Sequence, residues 1–410
     1  MLQRRIPEWL RHAPVPSVQN FAALGGLEAL TRGILISVYP LTMYAAFGDA
    51  KSVSALYFFV GIISLLVGLA VPPLTRLIAR RWMYTLGVFL FPVGAILAMT
   101  GHKYALAAGL LCNTVATVTA FICINAYLLD HIGKRELGRS ETLRLLYSAL
   151  SWTVGPAGGV WLMLWWRPAP FIVSGVAALA MLALFWSMRM GNGKVISRAK
   201  GPAPNPLAYL GRFFQQPRLI AGWLFAVIRS AGWWVYVVYV PIFAVQSGLG
   251  EQIGSLTLSF SNGMLFLAPL MMKFVQHNSI RFALRTGFLS SGLAFVLSGV
   301  ISGYPIGAIG VLMLASMFLI LLDVCAGLPF LMAVHPSERT EMSAIYASYR
   351  DVSGILTPGF AWIVLLFAPL AGVFVAGGLG LGIGWYLSRR VHPRLGAARG
   401  GVALRQASSV

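Results

Sequence analysis

Six ionisable residues lie inside long apolar stretches of the sequence, where charged side chains are rare. They are Glu28, Arg32, Arg229, Asp323, Arg350 and Asp351. A charge at the centre of a bilayer costs about 3 kcal/mol on insertion scales, so such side chains face a helix bundle or a water-filled cavity. There they pair with one another or line the path of an ion or solute. The chemistry that these residue types predict is the binding of a charged solute and the exchange of protons.

Arg32 and Arg229 are the candidate anion-binding residues, because a planar guanidinium group holds carboxylate or phosphate through two parallel hydrogen bonds. Glu28 precedes Arg32 by four positions, so the two share a helix face and can pair. The apolar stretch around Arg229 contains no acid. Its structural alternative to anion contact is therefore interhelical pairing with Asp323 or Asp351.

Asn113 and Tyr236 are further candidates for substrate contact. Amides within apolar helices more often bond one helix to another, and aromatic residues often mark the membrane boundary. Glu28 and Asp323 are the candidate proton-coupling carboxylates, because a carboxyl group beside an arginine can bind and release a proton as its surroundings change.

Two short segments are candidates for conformational change. Arg350 and Asp351 could form a gate near one end of their apolar stretch, or a packing pair. Gly155-Pro156 could let a helix bend or slide, because proline breaks the backbone ladder and glycine permits close approach; the alternative is a static kink.

The elements that must position these residues are apolar runs of spanning length. Hydrophobic residues make up 58% of the 410 residues and charged residues 10%, whereas about a quarter of ordinary globular sequence is charged. A spanning helix needs about 20 apolar residues. Twelve runs meet this need, at 20–46, 53–75, 82–100, 104–129, 143–165, 169–188, 219–246, 252–275, 284–302, 304–333, 342–366 and 367–388. The sequence therefore predicts an all-α membrane protein with twelve transmembrane helices.

Basic residues predict the orientation. They concentrate in alternate loops, for example at Arg80-Arg81, Arg135, Arg144 and Arg285, while the opposite loops hold only Lys51, Lys103 and Arg167. By the positive-inside rule both termini are then cytoplasmic, with residues 1–11 a retained tail. The net charge of +20 follows from these loops and does not indicate a nucleic-acid partner.

A polar linker at 191–215 separates two related halves, 16–190 and 216–390, and a tail covers 391–410. Arg139-Ser140-Glu141 recurs as Arg339-Thr340-Glu341 at corresponding positions. Arg32 and Arg229 also correspond, so a pseudo-twofold axis would bring both to a central cavity. The prediction is a pair of pseudo-symmetric six-helix bundles.

Six plus six spans, a basic central loop and parallel halves resemble the major facilitator superfamily over about residues 16–390. Gly155-Pro156-Ala157-Gly158-Gly159 is similar to the glycine-proline motif of its exporter branches. The resemblance implies alternating access around a midplane site formed by spans 1, 4, 7 and 10. The placement of one arginine on the first helix of each half is similar to that in the organophosphate antiporters of the superfamily.

The predicted function is a secondary active transporter of a small organic anion, proton-coupled and favouring export as an antiporter. We expect a monomer in the plasma membrane, here a bacterial inner membrane, whose partners are the solute, protons and the bilayer. No cofactor or enzymatic activity is expected, because the histidines lie in loops, tails or span ends. The alternatives are an efflux pump for hydrophobic or cationic drugs and a non-transporting scaffold or receptor. A further alternative is a Cu(I) carrier using Met313, Met317 and Cys325.

Overall fold

A computed structural model describes residues 17–131, 137–188, 210–335 and 339–392 of the chain. Within these ranges the regular structure is entirely helical, as expected where backbone groups cannot bond to water and must be satisfied within each segment. Most of the predicted linker at 191–215, the predicted tail beyond residue 392 and the first 16 residues lie outside the described residues.

The described part of the first half of the chain contains seven helices. They are α1 (Val18–Gly33), α2 (Val38–Phe47), α3 (Ala50–Leu77), α4 (Arg80–Met99), α5 (Lys103–His131), α6 (Leu137–Trp165) and α7 (Ala169–Ser187). The first predicted span is therefore two helices joined by a turn.

The described part of the second half contains one short 3-10 segment, Met264–Leu267, and ten α-helices. They are α8 (Leu210–Phe214), α9 (Pro217–Gln246), α10 (Glu251–Gly263), α11 (Ala268–His277), α12 (Ile280–Val300), α13 (Pro305–Cys325), α14 (Leu328–Ala333), α15 (Arg339–Ala347), α16 (Tyr349–Phe367) and α17 (Ala371–Ser388).

The predicted twelve-helix fold class is confirmed. Within the described ranges, eleven continuous or interrupted helices are long and apolar enough to cross a membrane. The twelfth predicted span, 143–165, lies within α6, which is 29 residues long. Its sequence is less apolar because Ser148, Ser151 and Gly155 occupy one face, and these small residues contact α1.

The chain divides into two compact units. Unit 1 comprises residues 1–48 and 62–200, and unit 2 comprises residues 49–61 and 201–410. The start of α3 groups with unit 2 because its side chains pack there. The Ser54 hydroxyl lies 2.7 Å from the Tyr239 hydroxyl, and Tyr57 contacts Trp234 edge to face at 6.1 Å.

In unit 1, α1 and α6 approach each other almost backbone to backbone. A Cβ atom added at Gly155 would lie 2.6 Å from the carbonyl carbon of Gly33, and one added at Gly159 would collide with the carbonyl oxygen of Ile34. The Ser148 hydroxyl donates to the Gly25 carbonyl at 3.2 Å. Small residues permit this approach, as is common between membrane helices.

Helix interruptions lie close to the ionisable residues. α1 ends at Gly33, one residue after Arg32, and a tighter turn follows in which the Leu35 amide donates to the Arg32 carbonyl at 3.1 Å. α13 ends two residues after Asp323, and α16 begins at Tyr349. The breaks place Arg32 in a last helical turn and Asp351 in a first turn, where the helix dipole stabilises each charge.

Candidate functional site

Arg229 is the centre of a charged cluster in unit 2. Its Nη1 lies 3.2 Å from Oδ1 of Asp323, so α9 is tied to α13 by an ion pair. The other carboxylate oxygen of Asp323 accepts a hydrogen bond from the Trp233 indole at 2.9 Å. The interhelical partner that the sequence left open between Asp323 and Asp351 is thus Asp323.

Tyr349 brings a third helix, α16, to this cluster. The Arg229 guanidinium carbon lies 5.2 Å from the centre of the Tyr349 ring, within cation–π range. Arg350 donates from Nε to the Tyr349 hydroxyl at 3.1 Å. Tyr349 therefore contacts two guanidinium groups. We call Arg229, Trp233, Asp323, Tyr349 and Arg350 the Arg229 cluster.

The Arg229 guanidinium retains unused hydrogen-bonding capacity. Only 13% of its side chain is exposed, yet its Nε is buried without a hydrogen-bond partner among the described residues. A guanidinium group has five N–H donors. A buried donor without a partner costs about 1–3 kcal/mol. The cluster therefore contains one N–H donor that the described residues leave without a partner.

Arg32 has a simpler environment in unit 1. Its Nη1 donates to Oε1 of Glu28 at 2.7 Å, one turn earlier on α1, as the spacing predicted. The guanidinium carbon lies 5.3 Å from the Trp152 ring centre on α6. The exposed fraction is 36% for Arg32 and 24% for Glu28. This pair is accessible and lies within one helix.

Tyr236 packs against the Trp233 side chain of the Arg229 cluster. Its side chain is fully buried and contacts Trp233 edge to face at 5.8 Å. Its hydroxyl lies 2.6 Å from the Ser261 hydroxyl, which accepts a hydrogen bond from Ser316 of α13 at 2.9 Å. This chain of contacts fixes the orientation of the indole that holds Asp323.

The remaining predicted site residues lie in packed regions. Asn113 of α5 is half-buried, and its backbone nitrogen would lie 3.5 Å from a Cβ added at Gly94 of α4, so it stands at the α4–α5 contact. Gly155 and Pro156 lie in α6 where it touches α1. Asp351 is half-buried in the first turn of α16.

The spacing along α13 disfavours a Cu(I) site that uses all three candidate sulfur ligands. Cys325 follows Met317 by eight residues, which is about 12 Å along a helix at 1.5 Å per residue. One ion cannot bridge that distance. Cys325 is also fully buried at the end of α13.

Sequence reasoning missed a half-buried arginine in unit 1. Arg144, predicted to be a loop residue, donates to the Asn125 side chain at 3.0 Å, and its stem fills the space above Gly25. Arg144 and Glu28 line a small, partly open cleft with apolar walls that include Phe21 and Phe121. The signal was available, because Arg144 falls inside the apolar run 143–165.

Comparison with known proteins supports the predicted fold class. The sequence profile described as Major Facilitator Superfamily matches residues 21–358. No curated protein matches the chain significantly. A crystal structure of a mutant of the nucleoside transporter NupG is similar, with a TM-score of 0.70 at 14% identity, covering 91% of this chain and 98% of that one.

Two peptide-transporter structures are similar to the same extent. The peptide transporter POT in complex with sulfate has a TM-score of 0.70 at 14% identity and covers 91% of this chain and 93% of that chain. A POT family transporter in complex with a thioalcohol-conjugated peptide has a TM-score of 0.69 at 11% identity and covers 91% and 94%. At these identities the likeness concerns the fold. The profile match covers most of the chain, and the protein therefore belongs to the Major Facilitator Superfamily of membrane transporters.

Proposed function

We propose that this transporter moves small organic anions by alternating access, coupled to protons. The observation that supports this most directly is the Arg229 guanidinium, mostly buried, with an unused Nε donor beside an acid and two aromatic rings. A carboxylate or phosphate group on the solute can use donors that Asp323 leaves free. The rings of Trp233 and Tyr349 offer apolar surface for the rest of the solute.

Asp323 is the proton-coupling group of this proposal. While ionised, it competes with the solute anion for Arg229. Protonation of Asp323 removes the competing charge, so the anion and a proton bind together at this cluster. Glu28 and Arg32 offer the same exchange in unit 1, where the pair is more exposed. Each unit thus contributes one arginine and one carboxylate, and each pair is testable on its own.

Direction and location belong to the same proposal. Joint binding of the anion and a proton at the Arg229 cluster favours symport. The exporter-like Gly155-Pro156 segment favours export by antiport instead, and the direction of anion flux relative to an imposed pH gradient distinguishes the two. The distribution of basic residues supports an orientation with both termini cytoplasmic. We also propose a monomeric transporter in the plasma membrane, here a bacterial inner membrane.

Ligand-induced stabilisation of the purified protein tests the anion assignment. A panel of organic carboxylates, organic phosphates, sugars and cationic dyes is screened for thermal stabilisation. Arg229→Ala should abolish the shift produced by the best anion. Arg218→Ala is the matched control, because Arg218 is an exposed arginine in the first turn of the same helix. Stabilisation by cationic dyes alone would support drug efflux instead.

Uptake into proteoliposomes tests transport and coupling. The identified anion should accumulate or leave according to an imposed pH gradient, and Asp323→Asn should uncouple transport from that gradient while counterflow of the anion persists. A gradient-independent wild type would contradict proton coupling. Absence of any flux in either direction would favour a receptor or scaffold.

A further inference from the structure

One tryptophan in unit 2 lies between two guanidinium groups, where α12 begins and α17 ends. The Arg389 guanidinium carbon is 4.0 Å from the ring centre of Trp385, and that of Arg285 is 5.9 Å from the same ring centre. Arg281 precedes Arg285 by four positions and therefore shares its helix face. We call these four residues the Trp385 cluster.

The arginines of the Trp385 cluster have hydrogen-bonding capacity that the described protein does not use. The Nε atoms of Arg281 and Arg285 are both buried and lack a hydrogen-bond partner among the described residues. Like charges four residues apart on a helix repel each other. Two half-exposed guanidinium groups in that position, beside the exposed Arg389, are complementary in charge to an anion.

The corresponding position in unit 1 shows that packing does not require this arrangement. By the internal repeat, Thr85 corresponds to Arg285 and Trp186 to Trp385. There the Trp186 indole donates to the Thr85 hydroxyl at 3.2 Å, and its ring packs against Trp82 at 5.4 Å. In unit 1 the indole N–H of this tryptophan therefore has a hydrogen-bond partner within the protein. Unit 2 surrounds the equivalent ring with positive charge.

The same two helices, α12 and α17, carry exposed apolar side chains beside and beyond the cluster. Phe282, Leu289 and Leu293 of α12 are exposed, as are Leu379 and Ile383 of α17. In a membrane protein such faces contact acyl chains. The two helices also pack tightly, since a Cβ added at Gly292 would lie 3.0 Å from the Gly378 carbonyl oxygen. A single lipid molecule would place its headgroup at the arginines and its acyl chains along this surface.

We propose that the Trp385 cluster binds the headgroup phosphate of an anionic phospholipid, with its acyl chains along α12 and α17. The three guanidinium groups supply the charge complement, and Trp385 holds two of them in place by cation–π contact. The predicted orientation puts this end in the cytoplasmic leaflet, where anionic lipids attract basic residues. This site is separate from the proposed solute site and does not depend on it.

Lipid titration followed by native mass spectrometry tests the proposal. The full-length protein in detergent is titrated with phosphatidylglycerol, with phosphatidylcholine and with inorganic phosphate. Phosphatidylglycerol should bind preferentially. Arg285→Gln and Arg389→Gln should each weaken it about fivefold, and the double variant about 25-fold, on the scale of one guanidinium near a membrane surface. Lys273→Gln, an exposed basic residue of α11, is the matched control and should leave binding unchanged.

Three results would overturn this assignment. They are equal binding of the two lipids by wild type, undiminished phosphatidylglycerol binding by the double variant, and saturation of the site by inorganic phosphate without lipid. Because Arg389 is exposed, Arg389→Gln keeps the test valid even if variants of Arg285 fold poorly. Anion-dependent stabilisation by the transported solute should persist in Arg389→Gln, which separates this site from the proposed function.

Discussion

The two arginines on the first helix of each half occupy corresponding positions but take their carboxylate partners from different places. Arg32 pairs within α1 with Glu28, whereas Arg229 pairs across helices with Asp323 of α13. An intrahelical pair moves with its helix and survives any rigid displacement. An interhelical pair changes whenever the two helices move apart. The unit 2 pair is therefore sensitive to movement of α9 against α13, while the unit 1 pair keeps an accessible charge within one helix.

The helix contacts next to these arginines also differ between the two units. α1 and α6 touch through the backbones of Gly33, Gly155 and Gly159, beside side-chain contacts such as that of Ser148 with the Gly25 carbonyl. α9 and α16 meet through side chains: the Ser230 and Ser353 hydroxyls lie 2.7 Å apart, and the Trp223 indole donates to the Ser348 hydroxyl at 3.2 Å. Hydroxyl pairs can exchange partners at small cost. The unit 1 contact thus includes backbone atoms that cannot rotate away, whereas these unit 2 contacts are made by side chains.

The largest difference between the two arginines should appear on removal of Arg229. Arg229→Ala leaves Asp323 without its ionic partner in a largely buried site, and we expect a loss of about 3 kcal/mol in unfolding free energy. Thermal and denaturant unfolding of the purified protein measure it. The double variant Arg229→Met with Asp323→Leu should recover most of the loss, because an apolar pair of similar volume replaces a buried ion pair at little cost. Failure of the double variant to recover would show that the charges themselves are required for folding.

The rigid contact in unit 1 should give the next largest effect. Gly159→Ala places a methyl group against the Ile34 carbonyl oxygen, which belongs to the backbone and cannot rotate away. We expect a loss of about 1–3 kcal/mol in stability, as for overpacked cores. Gly158→Ala is the matched control, since its Cβ would meet only a side-chain atom at 3.8 Å. Equal stability of the two variants would contradict the close α1–α6 contact.

The sequence predicted the twelve spans because charge and apolar length are local properties that the bilayer selects directly. It also paired Glu28 with Arg32, because both lie on one helix and helical spacing fixes their distance. It left Asp323 and Asp351 open as partners of Arg229, since packing between helices decides that choice. The roles of Trp152, Trp233 and Tyr349 were not predicted, because a ring acquires a charged neighbour only once the helices pack.

Removal of Arg32 should give the smallest effect on stability. Arg32→Ala breaks an exposed pair spaced four residues apart, which contributes about 0.5 kcal/mol, and a partly exposed contact with Trp152 that contributes about as much. We therefore expect little change in unfolding, but a loss of the stabilisation that the transported anion produces in wild type. Arg167→Ala, an exposed arginine in the loop after α6, is the control and should retain that stabilisation. If Arg32→Ala destabilises the protein as much as Arg229→Ala does, the distinction between an accessible intrahelical pair and a structural interhelical pair is wrong.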